Sequence, residues 1–369
     1  MNTLRIVHTE SSCGWGGQEI RVLNEAAGMI RRGHAVTLLC PPESRIYQEA
    51  GPRGVPAVAL PIGRKRIAGV RAIRQWIKAN RPDVMNTHSS TDAWLVALAG
   101  LFLHGAPPMV RTRHISAPIP GNWPTRWLYR TATRHIVTTG EVLRRQVIDA
   151  IGVAPGQVTS VPTGVSREFE PGDRSRARSQ LGLPTDAFTV GIVATLRSWK
   201  GHRFLLQAFS RLGDRTAQLV IVGDGPQSNA LEAQVRDLGL AGRVTMPGNQ
   251  RDVLPWFQAL DVFVLPSYAN EGVPQAVMQA MACALPVIST PIGAITEAVV
   301  ADKTGMIVKP QDVESLLAAL ERLRAAAGLR SHLGRAGREH VLANFGEEAM
   351  LDRMEQVFRH ALGASRPGS

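Results

Sequence analysis

Cysteine is scarce in this chain of 369 residues: there are three, Cys13, Cys40 and Cys283. An odd number without paired spacing argues against a disulfide framework, supplies no zinc-ligand pattern and points to a reducing cytoplasm. Long apolar runs are missing too. The longest extends from Ala93 to Leu103, well short of the ~20 residues a helix needs to cross a bilayer. The amino-terminal Leu4-Arg5-Ile6-Val7-His8 has neither the apolar core nor the cleavage site of a signal peptide and is expected to be a first strand. A D-x-D metal-binding motif is also absent.

Acidic residues are sparse in one half only. Residues 1–165 hold 9 Asp and Glu against 20 Lys and Arg, whereas residues 166–369 hold 21 against 22, so nearly all of the net charge of +12 belongs to the first half. A basic half must meet something acidic or tolerate its own repulsion. Nucleic acid, an anionic membrane surface, a phosphorylated substrate and a surface kept soluble all fit. Nucleic acid is the weakest of these, because no helix-turn-helix, RRM or zinc pattern is present and the charge lies away from the richest motif.

What is there is globular: 44% of residues are hydrophobic and 20% charged. The length suits two domains of ~180 residues. Short β-branched runs alternate with amphipathic stretches, the mark of parallel sheets covered by helices. Strands are expected at 5–8, 35–40, 57–60, 84–87, 109–111 and 135–138, then at 189–194, 218–222, 244–246, 262–266, 286–289 and 306–308. Helices are expected at 21–32, 201–211, 274–283 and 347–362. Two open α/β domains follow, 1–165 and 166–346, with residues 347–369 as a last helix, which could return to the first domain, and a tail. Ligands of such sheets bind outside the strand C-termini.

Three loops there hold candidate chemistry. Gly14-Trp15-Gly16-Gly17 lies between a strand and a helix, where backbone N–H groups can approach an anion, although a tight turn would use the same residues. Arg197 and Lys200, three residues apart before a helix, can together bind a diphosphate or can be ordinary solvated charges. Glu271-Gly272-Val273 precedes a helix expected to begin at Pro274, whose free N–H groups face an anion. Gln279 lies along that helix, placed to bond vicinal hydroxyls. A plain helix cap explains Glu271 but not the whole string. His88 ends a strand and could line a cleft or be structural.

The segment Glu271-Gly-Val-Pro-Gln-Ala-Val-Met-Gln279 resembles the E-x7-E signature of glycosyltransferase family 4, the retaining GT-B enzymes of lipopolysaccharide and cell-envelope glycan type. The resemblance also takes in Gly16-Gly17, Pro162-Thr-Gly-Val165, Arg197, Lys200-Gly201, Val222-Gly-Asp-Gly-Pro226, Val244 to Gly248 and Ala259 to Ser267. It implies two Rossmann-like domains facing each other across a cleft. It also implies transfer of a sugar, a hexose by expectation, from a UDP-, GDP- or ADP-sugar to a lipid-linked or lipopolysaccharide-type acceptor. In that frame Arg197 and Lys200 neutralise the departing diphosphate, Glu271 with Gly272 and Val273 holds the sugar, and Gln279 contacts the ribose. Gly248, Asn249 and Val253 border the base, Gly16 and Gly17 approach the donor, and His114 lies near the reacting sugar. The second glutamate of the signature is Gln279 here, and an amide still bonds ribose hydroxyls. No metal or other cofactor is expected, since two cations and a helix start can meet the leaving-group charge.

The basic half holds one more pattern. Ile67, Val70, Ile73 and Ile77 fall near one helical face with Arg66, Arg71, Arg74 and Lys78 on others. Trp123, Trp127 and Tyr129 lie among arginines between Arg111 and Arg134. A core helix with a basic outside accounts for the first. Tryptophan beside arginine also suits peripheral docking on an anionic inner-membrane surface.

Overall fold

The computed structural model describes residues 2–114 and 117–363. The chain divides into two units, Met1–Thr163 with Glu348–Ser369, and Gly164–Glu347.

The first unit is a seven-stranded parallel sheet in the order β3-β2-β1-β4-β5-β6-β7. Its strands are β1 (Arg5–Thr9), β2 (Ala35–Cys40), β3 (Ala57–Ala59), β4 (Val84–Thr87), β5 (Met109–Arg113), β6 (His135–Thr138) and β7 (Val158–Ser160). Central strands covered on both faces are buried end to end, as in β4 and β6. One core layer joins Ile6, Val84 and Val110 to the helix Gly17–Arg31 and to the last helix, Glu347–Gly363, through Leu23, Met354 and Phe358. The contact between these helices is close: a Cβ on Gly28 would lie 2.5 Å from Leu351 Cδ1. On the other face, Met85, Met109 and Ile136 pack under Leu95, Tyr129 and Val147.

The second unit is a six-stranded parallel sheet ordered β10-β9-β8-β11-β12-β13. Its strands are β8 (Thr189–Val193), β9 (Gln218–Val222), β10 (Val244–Gly248), β11 (Val262–Leu265), β12 (Val287–Ser289) and β13 (Met306–Ile307). In both sheets the strand order reverses once, between β1 and β4 and between β8 and β11. The loops leaving those strands therefore diverge and open a crevice.

Four local readings change. Strand β7 was not expected, being three residues flanked by the turn at Pro155–Gln157. The first helix starts at Gly17, four residues early, because Gly16 and Gly17 take the N-cap and N1 positions. Ile67 does not join the apolar face of the helix Ile67–Asn80: Ile73 and Ile77 are buried, but Ile67 is 71% exposed. Pro274 is not a helical residue. It is the N-cap, extended at φ −71°, ψ 128°, and the helix is Gln275–Ala282. Its missing N–H therefore takes nothing from the helix's first three donors. Among the described residues, no helix is long and apolar enough to cross a membrane.

Candidate active site

The crevice of the second unit is built by the loops after β8 and β11. The two strands are neighbours, Val262 opposite Val190 and Phe263 opposite Gly191, so residues 71 positions apart meet. Lys200 ends a short 3-10 turn, Ser198–Lys200, and its Nζ donates to Glu271 Oε1 at 2.7 Å and Oε2 at 3.0 Å. Ser267, at the end of β11, donates its hydroxyl to the same Oε1 at 2.6 Å. Glu271 is buried and Lys200 half-buried. The lysine expected at the diphosphate and the glutamate expected at the sugar thus form one ion pair.

Backbone contacts fix this loop pair. Tyr268 N donates to Trp199 O at 2.8 Å. Gly201 has φ +79° and lies against Pro266, whose carbonyl oxygen would be 2.1 Å from a Cβ. Gly293, after β12, has φ +59° and packs on Glu271 itself, with 1.9 Å between a built Cβ and the Glu271 carbonyl oxygen. Neither position admits a side chain without moving the site.

Arg197 caps the Ser198–Lys200 turn and is exposed, its guanidinium 5.7 Å from the centroid of Trp199. Of the two cations, Lys200 is committed to Glu271 and Arg197 makes no ion pair among the described residues. Gly272 is half-buried and Val273 buried next to that N-terminus. Gln279 is buried on the same helix. Gly248 ends β10 at φ +73°, Asn249 follows exposed, and Val253 precedes the helix Leu254–Gln258.

The remaining sequence candidates lie in the first unit. Gly16 is extended at φ −174°, a conformation any residue adopts, and Gly17 is exposed at the helix start. His114 follows β5, and its Nε2 is 3.0 Å from His88 Nδ1. His88 Nε2 is in turn 2.9 Å from His8 Nδ1. A row of three imidazoles thus leads from the centre of the sheet to its edge loop. Burial holds all three well below the usual histidine range, His8 at about 3, so they are neutral at physiological pH.

Sequence reasoning missed what surrounds this row. Arg21 is fully buried, donating to Val161 O at 2.7 Å and Thr163 Oγ1 at 3.2 Å, with Nε 3.6 Å from Glu25 Oε2. Glu25 accepts from Asn86, which accepts from Thr112. Burial first, offset by Arg21, raises the Glu25 carboxyl to about 7. Glu10, just beyond β1, accepts from Ser12 N and Gln18 Nε2 and is raised to about 8 by burial and then by Asp92. Charged residues inside strand–helix units were the only signal available, and they are scattered from Glu10 to Asp92.

Residues 15–169 match the family described as Glycosyltransferase Family 4, and residues 187–325 match the one described as Glycosyl transferases group 1. The chain belongs to glycosyltransferase family 4. A D-inositol 3-phosphate glycosyltransferase of Saccharomonospora viridis is 27% identical over 397 aligned positions, 95% of this chain and 90% of the relative. Among solved structures, a glycosyltransferase from Rickettsia africae superposes with a TM-score of 0.87 at 19% identity, over 99% of this chain and 100% of that one. Anabaena HepE, in complex with UDP and glucose, gives 0.85 at 18% over 97% and 100%. The fold of this family 4 chain is therefore GT-B.

Proposed function

We propose that this glycosyltransferase moves a hexose from a nucleotide-sugar to a hydroxyl of a glycan or lipid-linked acceptor, retaining anomeric configuration and needing no metal. The observation that supports this best is the Lys200–Glu271 pair at the β8–β11 switch point, beside the uncommitted Arg197 and a helix N-terminus. A nucleoside diphosphate leaves with negative charge, and these groups are preorganised to meet it. Among the described residues Glu271 Oε2 accepts from Lys200 alone, so it has capacity to accept from a sugar hydroxyl. Gln279 supplies an amide to the ribose, and Gly248 to Val253 border the base.

In the reaction, the bond from the anomeric carbon to the β-phosphate oxygen breaks and the acceptor oxygen bonds that carbon on the same face. The acceptor's proton passes to the departing phosphate. His114, neutral, can accept a hydrogen bond from the sugar or acceptor. The cytoplasm, with peripheral attachment to an anionic inner membrane, fits Trp123 and Ile67, which are 77% and 71% exposed close to arginines. Failure to sediment with anionic vesicles at low salt would remove that attachment.

The test is nucleoside diphosphate release from UDP-, GDP- and ADP-sugars in the presence of EDTA. Turnover with one donor, lost in Glu271→Ala, is expected. Undiminished turnover in that variant refutes the site, and dependence on added metal refutes the metal-free route.

A further inference from the structure

Three neutral imidazoles in series allow only two arrangements of their protons. His114 Nε2 lies 3.0 Å from His88 Nδ1, and His88 Nε2 lies 2.9 Å from His8 Nδ1. A neutral ring carries one N–H, so a ring that donates through one nitrogen must accept through the other. In the inward arrangement His114 donates to His88, and His88 donates to His8. His8 then carries its N–H on Nε2, and His114 Nδ1 is a bare acceptor. In the outward arrangement every N–H sits on Nδ1 instead, so His8 Nε2 is bare and His114 Nδ1 is a donor.

The inner end of the row decides between them. His8 Nε2 is buried without a hydrogen-bond partner among the described residues, and Glu25 Oε1 lies 4.0 Å from it. That is too far for a hydrogen bond. Both side chains are fully buried, however, and a charge acts strongly across such a gap in a dry interior. An N–H turned toward the carboxylate is favoured there, and a lone pair is repelled. Glu25 is held in place by Asn86 Nδ2 at 3.1 Å, and Asn86 by Thr112. The ionisable groups that reach Glu25 are Arg21, one turn back on its own helix, and His8 on β1. The last helix brings only Met354 to Arg21 and the ring of Phe358 to His8 among the described residues. Asp92 accepts from the backbone N–H of His88 and not from its ring. At the outer end His114 is half-buried, and its Nδ1 has no partner among the described residues.

We propose that Glu25 is a positioning residue that acts through the imidazole row, holding His114 as its Nε2–H tautomer so that Nδ1 accepts a hydrogen bond from substrate. A buried carboxylate can set the tautomer of one imidazole that it touches. Here two further rings carry that choice from Glu25 to His114. The proposal rests on the transferase reading above, in which His114 meets the sugar or the acceptor. Burial first, offset by Arg21, raises the Glu25 carboxyl to about 7. Below that range Glu25 is neutral and can donate, the inward bias is lost, and His114 Nδ1 turns from acceptor to donor.

Nitrogen-15 NMR of the imidazoles in the full chain, without substrate, reads the tautomers directly. Above the Glu25 range His114 Nδ1 should be bare. Below it the Nδ1–H form should grow in while all three rings stay neutral. Glu25→Gln should hold the low-pH pattern at every pH, lower kcat about tenfold with donor KM unchanged, and remove the acid limb of the kcat profile. His88→Phe cuts the row, so adding Glu25→Gln to it should alter neither the His114 tautomer nor kcat further. A His114 that carries its proton on Nδ1 at high pH, or a tautomer that ignores the titration, overturns the proposal in the parent protein alone, whether or not the variants fold. The same tautomer in parent and Glu25→Gln also overturns it. Tautomers that follow Glu25 while kcat does not move overturn the placing of His114 against substrate. A Glu271→Ala enzyme that keeps its turnover overturns the donor-site reading alone and leaves the tautomers as expected.

Discussion

Lys200 and Glu271, 71 residues apart, are joined by two bonds of 2.7 and 3.0 Å, and Ser267 holds the same carboxylate. Removing the lysine strands a buried acceptor. Lys200→Met is expected to destabilise the second unit by about 1–3 kcal/mol and to abolish transfer, whereas Glu271→Gln keeps the Ser267 bond and loses activity with a smaller shift in Tm. Calorimetry with product assays on both variants separates the two effects. Equal Tm for all three proteins would mean the pair carries no load.

Arg197 is exposed and uncommitted among the described residues, so its role, if any, is toward substrate. Arg197→Ala should leave stability within about 0.5 kcal/mol. Loss of one charged bond to phosphate, about 1.5–3 kcal/mol, should weaken nucleoside diphosphate binding by about 10–100-fold. An unaltered dissociation constant would return Arg197 to the solvated surface.

Gly293→Ala probes the support of the loop rather than its chemistry. A Cβ 1.9 Å from the Glu271 carbonyl oxygen, at φ +59°, forces that carbonyl to move. The expected result is a cost above about 1 kcal/mol together with a turnover deficit, both visible in one preparation. Wild-type activity in Gly293→Ala would show that the position of Glu271 is not critical.

The buried Arg21–Glu25 pair gives a different signature. Breaking it in Arg21→Met should cost about 3–5 kcal/mol, because Glu25 is left uncompensated. The double variant Arg21→Met/Glu25→Gln should recover much of that. Urea midpoints for the parent, Arg21→Met, Glu25→Gln and the double variant decide it; additive effects would mean the two groups do not interact.

Stability should peak near pH 6.5. His8 and His202 are lowered from 6.5 to about 3, and His135 to about 4, each mainly by burial. The unfolded chain therefore takes up protons that the folded chain refuses, and stability falls as pH drops below 6.5. Glu10 and Glu25 are raised from 4.5 to about 8 and about 7. Here the folded state holds protons that the unfolded state releases, so stability declines as pH rises from 4.5 and is still falling between 6.5 and 8. Glu10→Gln should flatten the alkaline side of a urea-midpoint profile and steepen the rise between pH 4.5 and 6.5. A profile with no alkaline decline in the parent would refute the assignment.

The sheets were legible where apolar runs are bounded by turn residues: strands 35–40, 84–87, 135–138 and 218–222 have the expected limits. The candidate loop stood out because Glu271 to Gln279 is contiguous. What it touches did not. Gly293 reaches Glu271 only because β11 and β12 are adjacent, and Lys200 pairs with it only because β8 and β11 are adjacent. The network of Arg21, Glu25, Asn86 and the three histidines closes only once β1, β4, β5 and the helix Gly17–Arg31 are together. The sequence did not distinguish buried Arg111 from its neighbours, since a period-2 pattern does not say which face of β5 is closed. Ile67 failed for a related reason. Helical spacing names a stripe, but not how far along the helix the neighbouring layer extends.

The last helix belongs to the first unit, with Leu351 seated on Gly28 and Phe358 in the layer with Ile6 and Val84. In chain order the second unit is thus an insertion into the first. During synthesis its whole span, residues 164–347, leaves the ribosome before the helix that closes the earlier core. The second unit can complete itself first, while the amino-terminal half waits with one apolar face of its opening helix uncovered. A stop codon or proteolytic cut near residue 346 would therefore damage the half of the enzyme farthest away in sequence and spare the half it adjoins.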